Sequence, residues 1–230
     1  QDASLVERET SALESLFASY PQIHKTRVKF LLATRPRYGV LVPEFVDEGV
    51  PFIRVNELID TKNKIDRLNK IPLKQSVQYK RTIVRPGDVL LSVVGTMGRC
   101  IVAPPELKGA NIARAVASLR MRKGVSADLF ASWLHTSEFN RQALLATGSD
   151  TAQPTLGMED LSNFSLSWPR SEQVQREMAS SSHTIRQQVA EARHLLNRQL
   201  SLLAERRQSL ITAAVTGQLD VTTAGRAAVG

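Results

Sequence analysis

The stretch SEQVQREMASSSHTIRQQVAEARHLLNRQLSLLAERRQSLITAA, residues 171–214, decides the architecture. Ser171 is a helix N-cap residue type. Behind it Ile185, Val189, Leu196, Leu203 and Leu210 keep returning near one face, the last four at seven-residue intervals, with Leu195 and Leu202 flanking the stripe. At about 1.5 Å per residue such a helix reaches roughly 60 Å. A small domain cannot cover so long an apolar stripe, so the segment predicts a dimerisation or docking arm with at least one external contact.

The arm follows a basic, loop-rich body. The chain carries 30 basic and 22 acidic side chains, but residues 22–123 alone hold 20 and 8, a local charge of +12 that leaves −4 for the rest. The field is therefore concentrated on the body, and a polyanion is the natural partner. The 230 residues allow one or two domains, and no apolar run approaches the roughly 20 residues needed to cross a bilayer. Residues 1–2 open without a signal-peptide pattern, and the absence of an initiating Met allows a processed start. We expect a cytoplasmic protein without a membrane partner. The single Cys100 reads as a packed thiol in a strand, and His24, His135, His183 and His194 match no metal-site spacing.

Residues 3–19 read as a short amphipathic helix anchored by Leu5, Leu13, Leu16 and Phe17 and ended by Tyr20-Pro21. Residues 35–39 read as an exposed turn. Short strands are expected at 52–55, 82–84, 89–94, 100–103, 115–119 and 164–168, with Pro86-Gly87-Asp88 and residues 95–98 turning successive strands. Ser126 can cap a helix over 127–145 in which Leu129, Phe130, Trp133, Leu134 and Leu144 or Leu145 cover the body, Trp133 as core. Gly95 and Gly98 lack the companions of a dinucleotide or P-loop motif. The pattern predicts an α+β chain: one mixed α/β body with a curved β-rich core, then a long coiled-coil-like helix.

The order of several segments resembles the DNA-specificity subunits of type I restriction-modification enzymes. These are Val50-Pro-Phe-Ile-Arg-Val-Asn-Glu-Leu, Val84-Arg-Pro-Gly-Asp-Val-Leu-Leu-Ser-Val-Val-Gly-Thr-Met-Gly-Arg, Asn111-Ile-Ala-Arg-Ala-Val-Ala, Gln153-Pro-Thr-Leu, Trp168-Pro-Arg-Ser-Glu-Gln and Leu203-Ala-Glu-Arg-Arg-Gln-Ser-Leu-Ile-Thr-Ala-Ala-Val-Thr-Gly-Gln-Leu-Asp-Val. The resemblance covers roughly residues 22–221. The resemblance implies an N-terminal helix (1–21), one target-recognition domain (22–169), a conserved-region helix for dimerisation and methyltransferase docking (170–215) and a tail (216–230). The family's full-length arrangement has two of each unit. The chain is therefore read as a natural half subunit, a truncated product or a fragment, and pairing of two copies through the arm would favour a palindromic, interrupted DNA site.

The resemblance also implies a non-catalytic role without cofactors of its own. A methyltransferase subunit would supply S-adenosylmethionine chemistry on adenine, and a separate restriction subunit ATP-driven translocation and cleavage. Arg35, Arg37, Tyr38, Asn56, Arg99 and Gln153 lie in or beside predicted turns and are the candidates for reading base edges in double-stranded DNA. Lys62, Lys64, Arg67 and Lys80 are candidates for phosphate contact, with a merely solvated loop as the competing reading of 62–70. Arg54 and Asn111 fit an internal hydrogen bond at least as well as a DNA contact, and Gln153 could instead satisfy its own loop. Val189, Leu196, Leu203, Leu210 and Ile211 are the candidates for helical pairing or methyltransferase docking. Two readings from other classes are a stand-alone dimeric DNA-binding regulator and a protein-interaction adaptor with an incidentally basic body.

Overall fold

A computed structural model describes residues 2–20, 23–58, 65–95, 97–148 and 154–218. Helix α1 (Asp2–Ser19) leads into β1 (Ile23–Arg27), a one-turn helix α2 (Val28–Leu31) and the two-residue strand β2 (Arg37–Tyr38). Strands β3 (Val50–Ile53) and β4 (Lys70–Ile71) precede helix α3 (Leu73–Gln78) and a 3-10 turn over Lys80–Thr82. Then come β5 (Val89–Ser92), β6 (Cys100–Val102), β7 (Asn111–Ile112) and β8 (Val116–Leu119). Helices α4 (Ala127–Trp133), α5 (Ser137–Thr147) and α6 (Met158–Asn163), strand β9 (Ser165–Pro169) and helix α7 (Glu172–Val215) complete the described chain. The architecture is a mixed α/β body followed by a long C-terminal helix.

The central sheet has the order β2-β8-β5-β6, antiparallel throughout. All four residues of β5 and of β8 are buried, because both sheet faces are covered. On one face Val89, Leu91, Ala117 and Leu119 meet α4, α5 and α7 in a core that holds Phe130, Trp133, Phe139 and Trp168. Trp133 sits 5.6 Å from the Phe130 ring and 5.5 Å from Phe139, and its indole N–H donates to Glu138 at 3.1 Å. On the other face Leu90 and Val116 join Ile53, Ile112 and Leu107 in a second core. There the sheet β4-β3-β7 adds a parallel β3–β7 pair. Separately, β1 pairs antiparallel with β9, Ile23 opposite Pro169.

Several expectations are corrected. Residues 35–39 are not simply an exposed turn: Arg37 and Tyr38 are strand β2, opposite Ser118 and Ala117. Gly39 then follows because a Cβ there would lie 1.9 Å from the Ile112 carbonyl oxygen, which accepts from the Val40 N–H. Residues 82–84 form no strand, since Thr82 closes the 3-10 turn with its hydroxyl 2.8 Å from Asn111 Oδ1. The helix expected over 127–145 is two helices. Ser126 caps the first, but Thr136 intervenes, bonds the Trp133 carbonyl and starts α5 as its N-cap. That break turns Leu144 and Leu145 outward, 64% and 77% exposed, so they do not cover the body.

Ser171 caps α7, accepting from the Val174 N–H at 3.4 Å. Its 44 residues measure about 66 Å. The first half packs on β9, α4 and α1, with Met178 fully buried and Gln175 donating to the Pro169 carbonyl. Helix α1 docks through Leu5 and Leu13. Between the two helices burial pushes the Glu9 carboxyl up, against the pull of Arg186 and Arg193. Beyond that seam residues 197–212 of α7 are exposed on every side.

Candidate nucleic-acid interface

Three adjoining concavities run over the β2 edge of the central sheet. A cleft of about 690 Å³ lies between Lys29, Arg35, Arg122 and Asn163, and one of about 680 Å³ between Arg37, Tyr38, Gln78, Tyr79 and Lys80. A third, of about 420 Å³, lies between Thr34, Arg37, Lys80, Arg81, Arg85 and Arg120. Pro36 and Met158 line the first two, Arg37, Lys80 and Arg81 the second and third, and Thr34 the first and third, so they form one basic surface.

Each wall is held from beneath. The 3-10 turn that carries Lys80 and Arg81 is anchored by the fully buried Asn111, whose amide donates to the Ser76 carbonyl and hydroxyl and whose oxygen faces the Thr82 hydroxyl. Asn111 is thus internal, and Arg54 likewise pairs with Glu57 at 2.8 Å. The opposite wall is β2, fixed where the Tyr38 hydroxyl donates to the Leu156 carbonyl at 2.8 Å. Burial, with lesser charge effects, raises the Tyr38 pKa. Arg122 donates to the Leu32 carbonyl at 2.9 Å.

The cations of this surface divide into two sets. Arg35, Arg37, Lys80, Arg81 and Arg85 make no ion pair within 4.0 Å among the described residues and keep their charges available. Arg120 is braced on the buried Asp88, Nε to Oδ1 at 2.8 Å and Nη2 to Oδ2 at 2.7 Å. That hydrogen bonding raises the Arg120 pKa against the cost of its burial. Asp88 also caps its own turn by accepting from the Arg85 N–H, and Gly87 supplies the left-handed residue with φ of 84°.

Of the proposed readers, the structure brings together Arg35, Arg37 and Tyr38, and adds Lys80 from the phosphate set. Arg99 lies on the turn before β6, at the other edge of the sheet, about 14 Å away across three strand spacings. Asn56 lies in a 3-10 turn after β3, and Arg67 ends another before β4, both exposed and outside the three clefts. Lys62, Lys64 and Gln153 lie outside the described residues. Arg81, Arg85, Arg120 and Arg122 were missed. Three of them sit near strand ends that read as structural, and only the Arg81 neighbour of Lys80 had a local signal in its charge.

On the arm, Val189 and Leu196 are half-buried, whereas Leu203, Leu210 and Ile211 are exposed and edge a shallow groove with Arg206 and Arg207. Cys100 is a packed thiol of β6, 3.4 Å from His135 Nε2, and burial pushes its pKa up to about 12. Burial and the Arg186 charge push His135 down to about 4. Among the described residues no His, Cys, Asp and Glu cluster is arranged to hold a metal, and no helix is long and apolar enough to cross a membrane.

No family model matches the chain. The type I restriction enzyme EcoBI specificity subunit of Escherichia coli is 28% identical over 183 residues, which are 79% of this chain and 38% of that protein. Among solved structures, a chain of a type I restriction-modification system superposes with a TM-score of 0.61 at 20% identity, covering 92% of this chain and 53% of that one. The HsdS subunit from Thermoanaerobacter tengcongensis gives 0.59 at 21%, covering 95% and 53%. The type I S subunit from M. genitalium gives 0.56 at 16%, covering 91% and 54%. The chain thus shares the fold of these subunits and spans about half or less of their length.

Proposed function

We propose that the chain is a non-catalytic DNA-specificity subunit of type I restriction-modification character, of half length, that directs an adenine methyltransferase to a bipartite site. The observation that carries the reading is the continuous basic surface over β2 and the 3-10 turn, where Arg35, Arg37, Lys80, Arg81 and Arg85 have no carboxylate partner among the described residues. In this division of labour residues 22–169 recognise double-stranded DNA. Arg35 and Arg37 read base edges and Lys80 positions the phosphate backbone, with Arg67, Lys62 and Lys64 as further phosphate contacts. Tyr38 has its hydroxyl committed internally, so any reading role falls to its ring edge; Asn56, Arg99 and Gln153 would act from neighbouring loops.

Residues 170–215, with the N-terminal helix of residues 1–21 along their first half, set the spacing. The overhang carrying Leu203, Leu210 and Ile211 pairs two copies, while Val189 and Leu196 lie at its root, and the modification subunit docks on the same helical spine. A tail of residues 216–230 follows. Two copies would present two bodies to the halves of an interrupted palindrome. A restriction subunit would join through the modification subunit.

The test is reconstitution. The full chain is mixed with its neighbouring methyltransferase subunit, and adenine methylation is mapped on a random duplex pool. We expect methylation confined to one bipartite motif. Methylation without sequence preference, or none beside a stable complex, would overturn the reading.

A further inference from the structure

The rim cations account for attraction to phosphate, but Arg120 is of a different kind. Its charge is neutralised by the Asp88 carboxylate, so it adds little to a long-range field. What the pair retains is direction. Nε and one Nη2 proton are spent on Asp88, and the other Nη2 proton is donated to the Ile83 carbonyl in a long bond of 3.5 Å. The end edge of the guanidinium therefore presents two parallel donors in a fixed orientation, Nη1 without an acceptor among the described residues and the second Nη2 proton held only by that long, displaceable bond.

Arg120 lines the third cleft together with Arg37 of β2, Lys80 and Arg81 of the 3-10 turn, and Arg85 beyond it. Arg120 lies two residues beyond Ser118, which pairs with Arg37, so the two arginines are diagonal neighbours on one face of the sheet. A neutralised, pre-oriented pair of donors suits a neutral acceptor pair better than a phosphate, which the unpaired rim cations would take in preference. In a duplex groove the acceptor pair of matching spacing is O6 and N7 of guanine.

We infer that Arg120, braced by Asp88, is a specificity-determining contact of the cleft and that its ligand is the major-groove edge of a guanine. This deepens the DNA-recognition reading and rests on it. Arg120→Lys keeps the charge but loses the fork, so it separates direction from attraction.

Binding sites are selected from a random duplex pool by the 230-residue chain and by its Arg120→Lys variant, and each guanine of the wild-type site is then replaced by 7-deazaguanine. We expect one guanine whose N7 removal weakens wild-type binding about tenfold or more. The variant should lose preference at that position while its affinity for unrelated duplex changes less than about twofold. The deazaguanine series uses unaltered protein, so it can overturn the inference even where the variant folds poorly, and a parallel series on Arg37→Lys and Arg35→Lys separates their guanine contacts from that of Arg120. Wild-type preference that is indifferent to every guanine N7, or that survives intact in a folded variant, overturns this inference alone. A wild-type chain with no sequence preference at all overturns it together with the recognition reading.

Discussion

Replacing Lys80 and Arg81 together by alanine should flatten the salt dependence of DNA binding by a calculable amount. Both side chains are exposed on the 3-10 turn, and the turn itself is held by Thr82 and Asn111, so the substitution removes charge without removing an anchor. Each neutralised phosphate contributes about −0.9 to the slope of log affinity against log salt. Two lost contacts therefore make the slope shallower by about 1.8. Over a fourfold rise in salt, from about 50 to about 200 mM, the wild-type chain should lose roughly tenfold more affinity than the variant. Fluorescence anisotropy with a labelled duplex measures both slopes, and Lys108→Ala, an exposed cation outside the clefts, serves as the control. Parallel slopes for wild type and double variant would show that this wall does not touch phosphate, and the assignment of the cleft would fall with it.

Further outcomes follow from the arm and the cores. Leu203→Glu with Leu210→Glu puts charge on the uncovered overhang and should convert a dimer near twice 25.4 kDa to a monomer, read by light scattering; an unchanged mass refutes pairing there. Leu13→Ala empties a fully buried site beneath α1 and should cost about 2–5 kcal/mol in urea unfolding. His135 is held neutral in the fold, so acid favours the unfolded chain: stability contributed by its depressed pKa is intact above about 6.5 and falls as pH drops toward about 4. Between pH 7.5 and 5 the loss should be about 2 kcal/mol, and His135→Gln should remove that part of the pH dependence. A variant with the same acid sensitivity as wild type would assign it elsewhere.

The arm was legible because a capped pattern of more than forty residues has few competing conformations, and β5 and β8 because continuous apolar runs between turns fit strands buried on both faces. The break at Thr136 was not, since Trp133, Leu134 and Phe139 keep a helix-like spacing across it while a side-chain cap redirects the backbone. Strand β1 reads as polar, Ile-His-Lys-Thr-Arg, and acquires its partner β9 only through tertiary closure. The cleft was half legible: Arg35, Arg37 and Lys80 stand beside turns, but Arg120 takes its meaning from Asp88, 32 residues earlier, and no local pattern announces that pair.

The β1–β9 ladder has a consequence for how such a chain changes over time. Ile23 faces Pro169 at roughly 5 Å, so the polypeptide goes into the body and comes out of it at one point, beside the helices it interrupts. A unit hung on so narrow a neck behaves as a cassette. Recombination inside two five-residue strands can exchange the whole basic surface in a single event while the α1–α7 seam stays as it was. A new preference would then be acquired by replacement instead of by gradual mutation, and a protein engineer has the same two splice points available.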